Sequence, residues 1–525
     1  MHQPVPTVAP TAANGRNRDL WRGVAAGVLA MLGFLVVVVV LRQLTQVVSL
    51  LDAMADALLR YLPMGMFSLS LDLFGTQAKT LLLAGLMVAL LVLGAIIGWR
   101  YAIATRQGTS LGWTRAASWS IGLFAVFALF MLWFIPSQTP GALSGTKMIP
   151  VLAQLALASA TFGVVLGGAL LLLRQRSLPD STASDDRDRL SRRALAVRIG
   201  LGTGALAAVG VLGAAVARVA NRPVVGTTAR GEISPPITPN EDFYVISKNF
   251  VDPDPNRGDD WYVTVDGLVN EERRFTRADL EAMAAPAFVS TLTCISNPVG
   301  GPLIGTAEWV GAPLASVLRA AGVKEGAVKV VFEAEDDYTD SITIDRALQP
   351  EPMLVWQMNG VPLPRLHGTP VRVIVPGIYG MKNVKWLERI TVSNEDYQGF
   401  WQQRGWTDPA IVKTSSRIDV PSDRDVLPVG RTVIGGVAFG GDRGVSRVEV
   451  STDGGDTWQE ATITDNPSPA GLSWVIWELP WEAEQGSYEI VARATDGMGE
   501  VQTEDQAPEL PDGSSGWPRV RVGVA

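Results

Sequence analysis

Cysteine and histidine are almost missing from this sequence, which has one Cys and two His in 525 residues. A lone cysteine excludes an intrachain disulfide, the usual staple in oxidising surroundings. The histidines are His2 and His367. Neither lies in a long apolar run, so a membrane haem held by two histidines is excluded. Acidic residues are scarce in the first part: residues 1–222 hold 19 of the 44 Lys+Arg but only 8 of the 52 Asp+Glu, a net charge of +11, which leaves −19 for the remainder. A part that acidic lacks the positive surface phosphate backbones require, which excludes nucleic acid as its partner. No apolar run carries the acid pair of a proton path.

What is present divides the chain between two solvents. Hydrophobic residues make up 47% of the whole with a mean hydropathy of +0.20, yet the second half is charged and Trp-rich. Spanning a bilayer core takes about 20 apolar residues, and five runs reach that length, near residues 23–41, 80–99, 118–135, 148–173 and 199–219. The first has no cleavage pattern and is read as a retained span. Between the first two, VVSLLDAMADALLRYLPMGMF sets Asp52, Asp56 and Arg60 among apolar residues, the spacing of an interfacial helix. Gly163 with Gly167 and Gly200 with Gly204 have the small-xxx-small spacing of helix packing.

Arginines collect before the first run, between the second and third, and between the fourth and fifth, whereas the third connection has only Lys147. Positive loops stay cytoplasmic, so the expected topology is N-terminus inside, five spans, and residues 223–525 outside the cytoplasm. The last span begins SRRALAVRIGLGTG. Arg192 and Arg193 before a weakly hydrophobic Gly/Ala segment read as an internal twin-arginine export signal, or equally as positive-inside flanking. The membrane half (1–222) reads as an all-α bundle that contacts lipid.

Residues 223–411 alternate short strand-like runs (WYVTVDGLV, AVKVVFEAE, VRVIVP) with helix-like pieces (LEAMA, APLASVLRAAG), an α+β pattern. From residue 412 the runs are strand-like only, and STDGGDTW marks a hairpin. Residues 412–525 therefore read as an immunoglobulin-like sandwich.

The cysteine lies in TLTCISNPVGG, a strand end entering a Gly-rich turn where backbone can approach a ligand. A free cysteine is commonly a buried small hydrophobe. In such a turn it is also a soft ligand whose thiolate a metal would hold deprotonated. The imidazole that activates a cysteine nucleophile is not nearby in sequence.

TLTCISNPVGG with GTAEWVGAPLASVLRAAGV, and the block WQMNGVPLPRLHGTPVRVIVPGIYGMKNVKWLERITV, resemble the molybdenum-cofactor domain of the sulfite oxidase family over residues 233–525. The resemblance implies that Cys294 is the protein ligand of molybdenum in a molybdopterin cofactor; no haem is expected, on the histidine count above. It implies cofactor contacts at Tyr244, Val245, Ile246, Ser247 and Lys248 of the leading loop, at Asp336 rather than Asp337, at His367 and Arg372, and at Asn383, Val384 and Lys385. Guanidinium, ammonium and imidazole together suit a pterin phosphate. Two arginines that line the family's anion pocket are missing: one position is Ile246, the other falls in NPVG. The family's active-site tyrosine falls at Trp406.

A pocket without those cations implies a neutral S-oxide or N-oxide, reduced by two-electron oxo transfer, with oxidation of sulfite or a related anion as the alternative. A binding or assembly module on an enzyme fold is the reading from another class. The further implied partners are a small-molecule substrate, an electron carrier (cytochrome, quinone or soluble) and a second copy of the chain as homodimer.

Overall fold

In lipid, where water cannot satisfy them, backbone groups must pair within their own segment, and the described residues among the first 222 are helical except Ser49 and Thr105. The computed structural model describes residues 12–45, 49–61, 66, 78–105, 112–134, 145–174, 203–214, 231–249, 252–253 and 260–525. The chain divides into two compact units, Met1–Arg222 and Pro223–Ala525.

In the first unit four helices are long and apolar enough to cross a membrane: Asn17–Thr45, Thr80–Ala104, Trp113–Trp133 and Ile149–Leu173. The expected fifth span is described only over Thr203–Ala214, too short to cross; the rest of 199–219, with Arg192 and Arg193, lies outside the described residues. The segment expected to be interfacial forms the amphipathic helix Leu50–Tyr61. Ser49 and Asp52 cap its start, and Arg42 pairs with Asp52 at 2.8 Å. Gly163 and Gly167 do pack, against Ser120 and Trp113. A close helix crossing uses Gly23 and Gly27 against Gly94 and Gly98, where a Cβ on Gly27 would strike the Gly94 carbonyl oxygen.

The second unit begins with an α+β part. Its strands are β1 (Tyr262–Gly267), β2 (Arg273–Thr276), β3 (Phe288–Thr293), β4 (Ile304–Pro313) and β5 (Lys329–Ala334). They are followed by β6 (Thr339–Thr343), β7 (Met353–Met358), β8 (Val361–Pro362), β9 (Arg372–Ile374) and β10 (Leu387–Ser393). One sheet runs β2-β1-β10-β5-β6, with β1 and β10 parallel; a second runs β3-β4-β7-β8, with β9 on β7. Helix Arg277–Glu281 starts on a capping box between Thr276 and Asp279. Helix Leu314–Ala321 follows Pro313, ends on left-handed Gly322, and buries Leu314, Val317 and Leu318. The core beneath the second sheet gathers Phe243, Tyr244, Leu292, Trp309, Val355, Ile374 and Cys294 itself.

The C-terminal part is all strand: β11 (Ser415–Val420), β12 (Val426–Leu427), β13 (Gly430–Phe439), β14 (Val445–Ser451), β15 (Gln459–Glu460), β16 (Thr462–Asp465), β17 (Val475–Ala483), β18 (Gly486–Asp496) and β19 (Arg519–Val524). The sheets β11-β13-β17-β16 and β12-β19-β18-β14-β15 share one core of Ile434, Trp477, Val448, Ile490 and neighbours. The DGG turn joins β14 to β15 as a hairpin, its Asp453 carboxylate accepting from Ser451 and Thr457. The two parts interlock at β3: Thr291 N–H donates to Leu472 O and its hydroxyl accepts from Trp474 N–H.

Candidate active site

The β3–β4 hairpin positions the single thiol. Cys294 follows the last residue of β3, and its N–H donates to Leu303 O at 2.9 Å, closing a loop in which Asn297 N–H returns to Cys294 O. Asn297 Oδ1 accepts from Leu303 N–H at 2.8 Å, and left-handed Gly300 completes the turn. The sulfur is 7% exposed and 3.0 Å from Ser296 Oγ. Burial pushes the thiol pKa up, with Ser296 and Ile295 pulling the other way. A cation at this sulfur would reverse that preference, because a coordinating thiol is deprotonated outright.

Behind the cysteine lies a buried, one-sided set of charges. His367 sits in a single 3-10 turn, Arg365–His367. Its Nε2 is 3.0 Å from Asn240 O, and since a carbonyl only accepts, Nε2 carries the proton. Burial lowers its pKa to about 4, so the ring is neutral; its edge meets Phe243 at 5.6 Å. Arg372 opens β9, with Nη1 donating to His367 O and Nη2 to Asn383 O, both at 3.0 Å. Its Nε is buried without a partner, and it is paired with no carboxylate among the described residues. Burial lowers even this guanidinium, to about 10. An uncompensated buried cation is costly, on the order of several kcal/mol, unless an anion completes it.

The remaining predicted residues frame that cation. Asn383 spends its carboxamide on the preceding loop, accepting from Val375 N–H and donating to Ile378 O and Tyr379 O. Val384 is buried, its carbonyl held by Val373 N–H. Lys385 Nζ reaches Ile246 O at 3.0 Å and Leu366 O at 3.2 Å, tying the leading loop to the His367 turn. In that loop Tyr244 is buried beside Phe243, and a Cβ on Gly380 would lie 2.6 Å from its hydroxyl; burial raises its pKa well above the usual phenol value. Val245 is half-buried and Ile246 exposed. Ser247 Oγ accepts from Asn249 N–H, and Lys248 Nζ bonds Asn249 Oδ1. Asn249 Nδ2 in turn donates to Asp336 at 2.6 Å, joining the loop to the β5–β6 turn.

Trp406 is separate from this group. It is buried against Trp401 with Nε1 unpartnered, and it is not among the residues lining the cleft at Cys294. That cleft opens to solvent between the cysteine turn and the C-terminal strands and has a cavity volume of about 40 Å³. Asn297–Gly301, Tyr379, Lys413–Arg417 and Ser514–Gly516 line it. Arg417 is buried and fully used, on Asp419, Ser234 and Gly301 O. Lys413 is 34% exposed and bonds Gly513 O at 2.8 Å, with Asp512 at 3.5 Å.

Sequence reasoning missed Tyr379, although it lies inside the quoted VIVPGIYGMKNVKW block, and it missed the C-terminal wall of the cleft, which is distant in sequence. It also missed a buried charge network behind the block. Lys382 (1% exposed) pairs with Asp340 (0%) at 2.9 Å and with Asp408 at 2.8 Å, and Lys329 shares Asp408 at 2.5 Å. An Asp in the middle of strand TDSIT was the available signal.

The buried cation with its unpartnered Nε, the neutral imidazole and the buried thiol lining the cleft fit an anionic pterin cofactor with a thiolate-bound metal. Comparison with known proteins agrees. The family model for an oxidoreductase molybdopterin binding domain matches residues 251–401, and that for a Mo-co oxidoreductase dimerisation domain matches residues 409–522. Mitochondrial sulfite oxidase of Rattus norvegicus is 38% identical over 260 residues, 42% of this chain and 47% of that protein. Sulfite oxidase of Gallus gallus is 34% identical over 319 residues, 52% and 69%. A nitrate reductase [NADH] of Phaseolus vulgaris is 32% identical over 334 residues, 51% and 37%. The chain thus spans about half the length of the mammalian relatives it matches. Among solved structures, the sulfane dehydrogenase SoxCD of Paracoccus pantotrophus aligns with a TM-score of 0.49 at 22% identity, covering 57% of this chain and 85% of that one.

Proposed function

Since the chain belongs to the sulfite oxidase family of molybdopterin-binding oxidoreductases, we propose that it is a membrane-anchored molybdenum enzyme that moves one oxygen atom and two electrons at an extracytoplasmic small substrate, preferentially reducing a neutral S-oxide or N-oxide. Four long apolar helices support the anchor. The positive-inside distribution of arginines supports an outer catalytic unit, with Arg192 and Arg193 as its export signal. The immunoglobulin-like reading of the two C-terminal sheets, which the dimerisation family model covers, supports a homodimer. The electron partner is a cytochrome, quinone or soluble carrier.

One observation carries the substrate preference: among the described residues, each cation lining the cleft at Cys294 already has a carboxylate, Asp419 for Arg417 at 2.6 Å and Asp512 for Lys413 at 3.5 Å. The family's two arginine positions are occupied by Ile246 and by the neutral turn residues Asn297–Gly300, and the buried Arg417 is neutralised by Asp419. Each missing hydrogen bond to an ionised substrate forfeits about 1.5 to 3 kcal/mol. A neutral oxide forfeits none of this.

When bound, the molybdenum group supplies the two-electron redox centre; the protein supplies position and electrostatics. Cys294 Sγ would hold the metal. Arg372 Nε, the one nitrogen without a partner in a guanidinium clamped by two carbonyls, would take a pterin phosphate oxygen, and His367 Nδ1, left as an acceptor, would take a pterin N–H. Trp406 would shape the pocket from outside the cleft lining, and Asp336 would fix the leading loop through Asn249.

Oxidation of sulfite is the second reading, favoured by the names of the relatives and by Lys413 on the cleft rim. Assays of the full-length holoenzyme separate the two: dithionite-reduced dye with sulfoxides against ferricyanide with sulfite. Turnover of sulfite alone would sink the preference for neutral oxides. A cofactor-free binding module would leave Arg372 as a buried, uncompensated charge. Metal analysis decides that question, because protein matured in a cofactor-competent host and lacking near-stoichiometric molybdenum would favour the module.

A further inference from the structure

The cleft beside Cys294 contains many hydroxyls, and nearly all are already used. Thr293 donates to Leu303 O, Thr414 to Asp496, Ser415 to Phe439 O, Ser416 to Ala492 O or Gln502, Ser514 to Asn297 O, and Ser515 to Asp505 O. Gln502 is spent as well, accepting from Ser416 and Ala494 N–H and donating to Gly516 O. Tyr379 differs. Its hydroxyl accepts from Lys413 N–H at 3.4 Å and donates to no acceptor among the described residues. Asn297 differs in the same way, because Leu303 N–H occupies its Oδ1 and leaves Nδ2 without a protein acceptor among those residues.

Both groups are held rigidly. Tyr379 is 5% exposed. Its N–H donates to Ala410 O, its carbonyl accepts from Lys382 N–H and Asn383 Nδ2, and a Cβ on left-handed Gly513 would collide with its hydroxyl. Asn297 is fixed at both ends of its turn by Cys294 O and Leu303 N–H. Burial raises the phenol to about 12, so it keeps its proton through the physiological range.

We propose that the Tyr379 hydroxyl and the Asn297 Nδ2 amide are the hydrogen-bond donors that grip the substrate oxygen in this cleft, making recognition neutral rather than cationic. This rests on the reading of a neutral oxide as substrate, and it names the chain's own means of selecting one. A sulfinyl or N-oxide oxygen is a strong acceptor with no donor of its own, matching two donors whose acceptor sides are already occupied. An aqueous anion would bring charge that these groups do not compensate.

The test uses full-length holoenzyme as wild type, Tyr379→Phe and Asn297→Asp. Probes are dimethyl sulfoxide, trimethylamine N-oxide and sulfite. Two readouts are taken: the Kd of each probe for oxidised enzyme by tryptophan fluorescence quenching, and KM and kcat with reduced dye or ferricyanide. Tyr379→Phe removes one oxygen atom and is expected to weaken Kd and raise KM for the sulfoxide by about tenfold, with kcat within about threefold and molybdenum content unchanged. Asn297→Asp, which keeps the acceptor and loses the donor, is expected to do the same. Wild-type Kd and KM in Tyr379→Phe would overturn the proposal. So would loss of molybdenum in that variant, which would make the phenol part of the cofactor cradle. If wild type binds and oxidises sulfite only, the neutral-oxide reading fails; the ratio of variant to wild-type Kd for sulfite then decides the donors, a tenfold loss keeping them and no loss removing them.

Discussion

Lys382→Met tests whether the buried charge network organises the site. The substitution keeps the aliphatic stem but leaves Asp340 at 0% exposure with only Ser341 N–H at 2.8 Å and the Tyr338 hydroxyl at 3.1 Å. Burial already raises the Asp340 pKa, and Lys382 is the chief group opposing that rise. Without it the carboxyl folds protonated. Binding that proton at pH 7, from an unfolded pKa of about 3.9, costs about 4 kcal/mol, within the roughly 3 to 5 kcal/mol found when one partner of a buried pair is removed. The sign follows from the raised folded pKa: below it the cost shrinks as pH falls towards the unfolded value of about 3.9, to about 1.5 kcal/mol at pH 5. For a unit of this size each kcal/mol moves the midpoint by roughly 2 to 4 °C, so thermal melts of full-length protein in detergent, followed by tryptophan fluorescence, should drop by about 10 °C at pH 7 and by much less at pH 5. Adding Asp340→Asn should restore most of the loss at pH 7. Lys382 precedes Asn383, whose carbonyl holds Arg372, so molybdenum content should fall as well. A midpoint change under about 2 °C, or equal changes at both pH values, would refute the reasoning.

Four further outcomes are expected. Cys294→Ser should abolish turnover while leaving the melting profile of the C-terminal unit within about 2 °C of wild type, since the exchange is nearly isosteric; retained turnover in either assay removes the metal-ligand role. In cofactor-free protein the His367 pKa is lowered to about 4, so the unfolded state protonates first and stability falls as pH drops from about 6.5 to about 4, by up to about 3 kcal/mol; His367→Asn should flatten that stretch of a denaturation-versus-pH curve. Gly27→Val should disturb the contact with Gly94 and Gly98, visible as lower detergent-resistant yield, whereas Gly85→Val, which meets open space, should behave as wild type. Changing Arg192 and Arg193 together to lysine should trap the outer unit inside, scored by protease accessibility in spheroplasts; normal export would leave that pair as topology charges.

Much of the site was legible because its chemistry is local in sequence. A single cysteine at a strand end, and His367, Arg372, Asn383 and Lys385 within one 19-residue stretch, are brought together by β7, β9 and a pair of 3-10 turns with little help from distant segments. The apolar runs were equally plain, since about 20 apolar residues have few alternatives to a helix in lipid. The helix crossing at Gly23, Gly27, Gly94 and Gly98 was passed over because spacing marks a small-residue face without naming its partner. Periodicity also could not show that Trp406 is buried against Trp401 and is not among the residues lining the cleft.

The sequence by itself determined the family, the long apolar runs of the first half, the lone thiol and the absence of arginine from the turn Asn297–Gly301, because each is a matter of residue type at a position. Only the tertiary structure decided which polar groups of the cleft are left unpaired. Arg417 enters the cleft from β11 and Lys413 from just before it, Ser514 and Ser515 arrive from the far C-terminus, and each is spent or left free according to acceptors more than 50 residues away in the chain or supplied by the next turn. Hydrogen-bond saturation is a property of surroundings rather than of residue type, so the two unspent donors, on Tyr379 and Asn297, became visible only once every other polar group in the cleft had been paired in three dimensions.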